Sequence, residues 1–265
     1  MSDRSGRIGF AALSAGISVM AVLAGTALAD DLTAFLAGSV NDCIACELSG
    51  RDLHGRELKH AKLDRAVLKN ANLAEASLFR ATLERADLSG AMLAQANLNV
   101  ADAKWADFTA AELPGALLYD ADLAGCTFTG ANLDGAHLGR ARLNQADLRG
   151  ATLRGADLRE ARLADAKLAG ADLRGAELDG QSLRDMDLHG VDFTVADMVE
   201  ADLTGADLHG AKLAGVDLRG ANLHGADLRG ADFEGANLND AILSDAKLDG
   251  AKFDAAIMPN GRRGE

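Results

Sequence analysis

Two cysteines near the start of the chain, Cys43 and Cys46, form the clearest motif with redox or metal-binding chemistry. A haem attachment motif needs His directly after the second cysteine, where this chain has Glu47, and a zinc site needs a second pair of ligands, whereas Cys126 stands alone. An active C-x-x-C oxidoreductase expects a thioredoxin-like βαβ unit, which the sequence does not predict. We therefore interpret Cys43 and Cys46 as a local structural disulfide in an oxidising compartment. No metal or other cofactor is predicted.

The acidic side chains are the second set of residues with catalytic potential. The chain carries 40 Asp and Glu against 27 Lys and Arg, a formal net charge of −13. Many Asp residues precede a leucine at regular intervals, so they are spread along the chain and do not converge on a cleft. Eight Phe, one Trp and one Tyr provide little material for a ligand pocket. The chain is therefore predicted not to be an enzyme, and its charge argues against direct binding to nucleic acid.

An uninterrupted repeat positions these residues: from Cys46 to Asn260 the chain divides into 43 quintets without an insertion or deletion. The third position of the quintet is Leu in 35 units, and the first position is Ala in 35. A period of five fits neither a straight helix nor a straight strand, because the leucines would not share one side. They can all face inward only if the chain turns a corner at the fifth position of every quintet. The repeat therefore predicts a coil wound around a leucine core.

Glycine at the corners indicates how many quintets make one coil. We expect glycine where a corner needs a positive φ, and we expect stacked corners to share one turn type. Sorted by every fourth quintet, glycine fills 9 of 11, 7 of 11, 2 of 11 and 3 of 10 corners, whereas sorting by every third gives no pattern. The pairs Phe108 with Phe128 and Phe233 with Phe253 are also 20 residues apart. Four quintets per coil are therefore predicted, with stacked positions 20 residues apart.

Quintets such as Ala201-Asp202-Leu203-Thr204-Gly205 resemble the pentapeptide-repeat family over about four fifths of the chain. The resemblance implies an all-β solenoid, a right-handed quadrilateral β-helix, here of about 11 coils. The run Met258-Pro259-Asn260-Gly261 is similar to the Met-Pro-Asp-Gly closure of many extracytoplasmic members. After it we expect only a polar tail, residues 261–265, so the C-terminal dimerisation helix of the gyrase-binding members has no counterpart.

The first 29 residues are typical of a secretory signal peptide. Arg4 and Arg7 precede an apolar run, and a small-x-small triplet ends at Ala29, which predicts cleavage between Ala29 and Asp30. An uncleaved membrane anchor is the alternative, since about 20 apolar residues can span a bilayer. Cleavage implies a periplasmic or secreted protein with no stable membrane span. Residues 30–45 are then expected to form an N-terminal cap with a short helix over residues 31–40, followed by the repeat at residues 46–260.

The leading functional hypothesis is a non-enzymatic solenoid that acts as a structural or protein-interaction scaffold. Large apolar side chains at outward positions mark the candidate surface, namely Phe79, Trp105, Leu117 and Tyr119. Scattered apolar residues also occur on ordinary surfaces, so these four can equally have no role in binding. The alternative from the family is an acidic DNA mimic that binds DNA gyrase or another nucleic-acid-binding protein. Neither hypothesis identifies the protein partner or the oligomeric state.

Overall fold

A computed structural model describes residues 32–264. The chain divides into two compact units, Met1–Val40 and Asn41–Glu265, of which residues 32–40 and 41–264 are described. The predicted signal peptide, residues 1–29, and its cleavage site at Ala29 and Asp30 lie outside the described residues. In the first unit the predicted helix is shorter than expected: α1 spans residues 32–36. Gly38, with a φ of 73°, follows it, and the Ser39 N–H and hydroxyl both donate to the carbonyl of Ala34. A left-handed glycine of this kind ends many helices.

In the second unit, the described residues 41–264 form isolated β-bridges instead of longer strands. Each quintet contributes one bridge at its second position, and each parallel bridge joins residues 20 apart, from Glu47 with Val67 to Asn237 with Ile257. The N–H groups of the third and fifth positions donate to carbonyls of the next coil, as those of Leu63 and Arg65 do to Thr82 and Glu84 at 2.8 and 2.9 Å. The separation of 20 confirms the prediction that four quintets lie between stacked positions.

The core follows the predicted inward pattern. Leucines at the third position and alanines at the first are fully buried through most of the unit. The two phenylalanine pairs stack as expected, with ring centroids 4.8 Å apart for Phe108 and Phe128 and 5.0 Å apart for Phe233 and Phe253. Because each inward residue meets its equivalent one coil away, the size of the side chain at each column has to suit the spacing between coils.

The corners contradict one part of the glycine argument. Every fifth residue from Ala45 to Ala255 has a positive φ, between 53° and 72°, and 22 of these corners are not glycine. In each corner the N–H of the next first position donates back to the leucine carbonyl, as Ala71 does to Leu68 at 3.0 Å. A positive φ at the third of four turn residues is the geometry of a type II turn. All four columns therefore share one turn, and nothing in the structure explains why two of them are rich in glycine.

Residues 261–264 of the predicted polar tail fold back against the end of the coil. After Gly261, which has a φ of 75°, the chain reverses, and Arg263 forms an antiparallel bridge with Ile257. The Gly264 N–H donates to the carbonyl of Ala256, and the Met258 N–H donates to that of Arg262, both at 2.7 Å. The Met-Pro-Asn-Gly run thus makes the turn of a small hairpin.

Candidate interaction surfaces

The acidic residues before the leucines have a structural role in the coil. Asp107 is typical: one carboxylate oxygen accepts the backbone N–H of Thr109 at 2.9 Å and its hydroxyl at 2.6 Å. Asp and Asn favour this bond to the N–H two residues later because the side chain is short. The backbone contact recurs at Asn72, Asp87, Asn97, Asp147, Asp157, Asp192 and Asp227. At these quintets the side chain satisfies an N–H group beside the corner.

Arginine neutralises many of the same carboxylates. Where the quintet reads Asp-Leu-Arg, the guanidinium folds back, as Arg149 does with two bonds of 2.8 and 2.6 Å to Asp147. The same pairing occurs at Asp157 with Arg159, Asp172 with Arg174, Asp217 with Arg219 and Asp227 with Arg229. The hydrogen bond from Arg174, with a further one from Arg154, lowers the pKa of Asp172 to about 2. Part of the negative surface charge is therefore paired locally.

The histidines do not assemble a metal site. His189 is bonded through Nδ1 to Asp187, which raises the pKa of His189. His224 lies 2.9 Å from the Ser244 hydroxyl. Within residues 32–264 no three His, Cys, Asp or Glu side chains are grouped to hold a metal ion, and no helix is long and apolar enough to cross a membrane.

The cysteines lie in two different environments. Cys43 and Cys46 are placed in disulfide geometry, with their Cα atoms 5.3 Å apart, and both are buried. Cys126 is a buried free thiol at the first position of its quintet, with Sγ 2.9 Å from the carbonyl oxygen of Ala103. Burial raises the pKa of the Cys126 thiol well above its ordinary value. A buried, protonated thiol is unreactive, so Cys126 serves as a small core residue.

The predicted apolar surface is divided among separate contacts. Phe79 meets the edge of His60, with centroids 6.1 Å apart, and the guanidinium of Arg80 lies 5.2 Å from its ring. Tyr119 lies on the same column two coils later, with Asn99 between, and its hydroxyl accepts a bond from Arg140 at 3.0 Å. Both rings therefore lie beside cations and not against each other.

The other two residues of that surface lie to either side of Tyr119. Leu117 is half-buried at the second position of the same quintet, where it bridges Asn97 and His137. Trp105 is a corner residue, 52% exposed, whose ring covers Gly125, so that a Cβ on that glycine would clash with the ring. No ring-to-ring contact joins Phe79, Trp105 and Tyr119 in the part of the chain that the structure describes.

A further feature, not anticipated from the sequence, is a gap between two coils. The series of parallel bridges omits Arg162 with Ser182 and Lys167 with Asp187, although the bridges on both sides are intact. Residues 161–168 and 181–188 border what we call the coil gap. An open cavity of about 780 Å³ occupies it. Residues of both coils line the cavity, together with Asn144: Ala161, Arg162, Leu163, Ala164, Asp165, Ala166, Gln181, Ser182, Arg184, Asp185, Met186 and Asp187.

Two large inward residues account for the coil gap. Gln181 and Met186 occupy first positions, where Ala is the usual residue, and they are only 5% and 8% exposed. The Gln181 amide donates to the carbonyl of Leu158 in the preceding coil. We attribute the separation of the coils to these two side chains, because a side chain that extends several atoms beyond Cβ needs space that a close-packed core does not have. The turn bonds within each coil persist, the longest being 3.4 Å from Met186 to Leu183.

The sequence contains the signal for the coil gap, because Gln181 and Met186 are among eight exceptions to Ala at the first position. The presence of a residue other than Ala does not by itself show which exceptions separate the coils. Val191 and Val216 are also exceptions, yet the bridges at Asp192 and Asp217 are intact. The difference is length beyond Cβ: the branched valine packs close to the backbone, whereas glutamine and methionine are longer, and the Gln181 amide reaches Leu158 in the preceding coil.

Comparison with known proteins agrees with this architecture. The family model for pentapeptide repeats matches in eight copies, within residues 46–85, 104–140, 139–180, 156–194, 182–220 and 217–254. HetL, a pentapeptide repeat protein involved in heterocyst differentiation regulation from the cyanobacterium Nostoc sp. strain PCC 7120, is 31% identical. The match covers 88% of this chain and 98% of HetL, with a TM-score of 0.44.

Two other solved structures are more distant. A pentapeptide repeat protein from the Arabidopsis thaliana thylakoid lumen is 27% identical, over 47% of this chain and 66% of its own, with a TM-score of 0.24. QnrB1, a plasmid-mediated fluoroquinolone resistance protein, is 24% identical, over 78% of this chain and 92% of its own, with a TM-score of 0.35. Among curated proteins, no sequence matches this chain.

Proposed function

Because the chain belongs to the pentapeptide-repeat family, we propose that it is a non-enzymatic interaction scaffold that acts in the periplasm or after secretion. The observation that carries the proposal is that many outward carboxylates are occupied within the coil, by a backbone N–H group or by a neighbouring cation, as Asp147 is by Arg149. What such a coil offers a partner is an extended surface. We also propose that the coil is right-handed and quadrilateral with about 11 turns.

The extracytoplasmic assignment rests on the N-terminal sequence pattern and on the cysteine pair. Arg4, the apolar run and the triplet that ends at Ala29 are typical of an exported protein, and the geometry of Cys43 and Cys46 suits an oxidising compartment. A fusion of residues 1–29 to a reporter that is active only outside the cytoplasm should give a signal. A strictly cytoplasmic result would contradict export.

The cysteine pair allows an independent test on the full protein. Protein purified from the envelope, denatured without reductant, should present one thiol to Ellman's reagent, that of Cys126, and three thiols after reduction. The native protein should present none, since Cys126 is buried. Three thiols in the unreduced, denatured protein would mean that Cys43 and Cys46 are not joined.

The alternative, a DNA mimic that binds gyrase, needs a continuous track of negative charge. Duplex DNA carries about one negative charge per 1.7 Å, whereas Asp147, Asp172 and Asp227 each share their charge with an arginine. This local pairing argues against the mimic. Purified mature protein should therefore fail to inhibit DNA supercoiling by gyrase, and potent inhibition would favour the alternative over the scaffold.

A pull-down from an envelope extract tests the candidate surface. The double variant Phe79→Ser with Tyr119→Ser removes two of its outward apolar side chains. Val195→Ser is a matched control, since this corner residue is 64% exposed and belongs to a different part of the coil. Loss of a partner with the double variant alone would assign the surface. Equal recovery of every partner would show that these side chains do not bind it.

A further inference from the structure

The coil gap leaves backbone hydrogen-bonding groups without the partners that equivalent groups have elsewhere. In the described residues, the N–H groups of Leu163, Asp165 and Leu168 have no carbonyl to bond in the next coil, and those of Ser182 and Asp187 have none in the preceding one. One hundred residues earlier, all five equivalent bonds are made, at 2.7–2.9 Å. The two borders of the gap thus carry donors and acceptors in the pattern of a parallel β-bridge.

Unpaired backbone groups beside an apolar interior require a partner, since an unmade hydrogen bond there is unfavourable. Water can satisfy them singly, but an extended polypeptide carries donors and acceptors at the spacing of both borders. The cavity of about 780 Å³ is open at the surface and is large enough for a short segment. Leu163 and Met186 are buried apolar residues of its lining, and Arg184 and Asp185 are exposed charged residues.

We propose that the coil gap is a peptide-binding site that accepts one extended polypeptide segment, which pairs through its backbone with residues 161–168 and 181–188. The segment is about eight residues long and bends once, because the coil gap covers parts of two successive sides that meet at the corners Asp165 and Asp185. Small or medium apolar side chains of the segment face Leu163 and Met186, and its polar side chains face the exposed residues of the lining. This inference rests on the proposed scaffold function and identifies one of its binding sites.

Because Gln181 and Met186 hold the coil gap open, replacing them with smaller residues should close it. The double variant Gln181→Ala with Met186→Ala restores the usual residue at both first positions, so the bridges Arg162 with Ser182 and Lys167 with Asp187 should form. Val191→Ala is the matched control, because Val191 is the next inward exception and its bridge, Asp172 with Asp192, is already intact. The control should leave the coil gap unchanged.

The experiment uses a synthetic array of random acetylated octapeptides against the full mature protein, followed by calorimetry with the strongest binders. We expect binders that lose at least tenfold in affinity with the Q181A/M186A variant and keep it with V191A. Backbone N-methylation of a binder removes its N–H donors and should abolish its binding to the unaltered protein. This result does not depend on whether the double variant folds. Amide hydrogen exchange should show that the peptide protects Leu163, Asp165, Leu168, Ser182 and Asp187.

Two results would overturn the peptide site: an array without binders, or binders whose affinity changes neither with the double variant nor with N-methylation. The scaffold proposal is separable from this outcome. If envelope partners are still recovered by the pull-down when no octapeptide binds, the scaffold stands without a site in the coil gap. If no envelope partner is recovered either, the scaffold itself is contradicted.

Discussion

Residues 81–88 and 181–188 occupy equivalent positions in the repeat, five coils apart, yet only the first segment stacks on the coil before it. Thr82 and Asp87 bridge Lys62 and Val67, whereas Ser182 and Asp187 bridge nothing in the preceding coil. The turns within both segments keep their hydrogen bonds. The comparison separates two requirements: the corner geometry builds one coil, and small residues at the first position allow one coil to stack on the next.

Transferring the large residues to the intact segment should produce the largest effect. The double variant Ala81→Gln with Ala86→Met places the same side chains on the same two sides of the coil, at positions that are fully buried. We expect a loss of about 2–6 kcal/mol in the free energy of unfolding, since overpacking costs about 1–3 kcal/mol at each site. Urea unfolding measures the loss. Amide exchange should show opening at Leu63, Thr82 and Asp87; an unchanged exchange pattern would refute side-chain size as the cause of the gap.

The reverse change should stabilise the interrupted segment by a smaller amount. In the Q181A/M186A variant we expect a gain of about 1–3 kcal/mol, because several backbone hydrogen bonds, each worth about 0.5–1.5 kcal/mol, form at the expense of Met186 packing. Thermal unfolding by circular dichroism measures the gain, with V191A as the control. A destabilised variant in which Leu163 and Ser182 still exchange rapidly would mean that the gap is held open by something else.

A branched residue at a first position should show whether the length or the volume of a side chain separates the coils. Ala81→Val introduces a side chain of the kind that Val191 and Val216 carry without loss of a bridge. We expect a loss below about 1 kcal/mol and slow exchange at Thr82, because valine favours β geometry and extends no further than its methyl groups. Chemical denaturation compared with A81Q gives the answer. Equal losses for valine and glutamine would make volume, not length, the decisive quantity.

The smallest effect on stability is expected for the ion pair of Asp172 with Arg174, on the side of the coil where stacking resumes after the gap. The pKa of Asp172 is lowered to about 2, so its carboxylate stabilises the fold fully above about pH 4, and this contribution is lost as the pH falls toward 2. Arg174→Gln should raise the pKa of Asp172 toward its ordinary value and reduce stability at neutral pH by less than about 1 kcal/mol. Carbon-detected NMR titration measures the pKa. Arg162→Gln, at the coil gap, is the control and should leave the pKa of Asp172 unchanged.

The sequence predicted the repeating part of the fold well because a period of five with inward Ala and Leu permits few geometries. The stacking of Phe108 on Phe128 was visible for the same reason. The corner conformation was only partly predicted, because φ is imposed by closure of the coil and so does not depend on glycine, as Trp105 with a φ of 60° demonstrates. The coil gap was missed, since whether Gln181 fits depends on the distance between coils, which the quintet pattern does not contain.

The uniform corners have a consequence for how such a protein can vary. Since 22 different non-glycine corners adopt the same backbone, replacing one by glycine relieves left-handed strain but also makes the unfolded chain more flexible, and the two effects oppose each other. Exchange among the non-glycine corners is therefore close to neutral for folding. These corners accept varied side chains other than proline, which cannot adopt a positive φ, whereas Gly125 is fixed by the Trp105 ring that covers it. The non-glycine corners therefore provide a recurring set of sites at which new surface chemistry can be tried independently of the core.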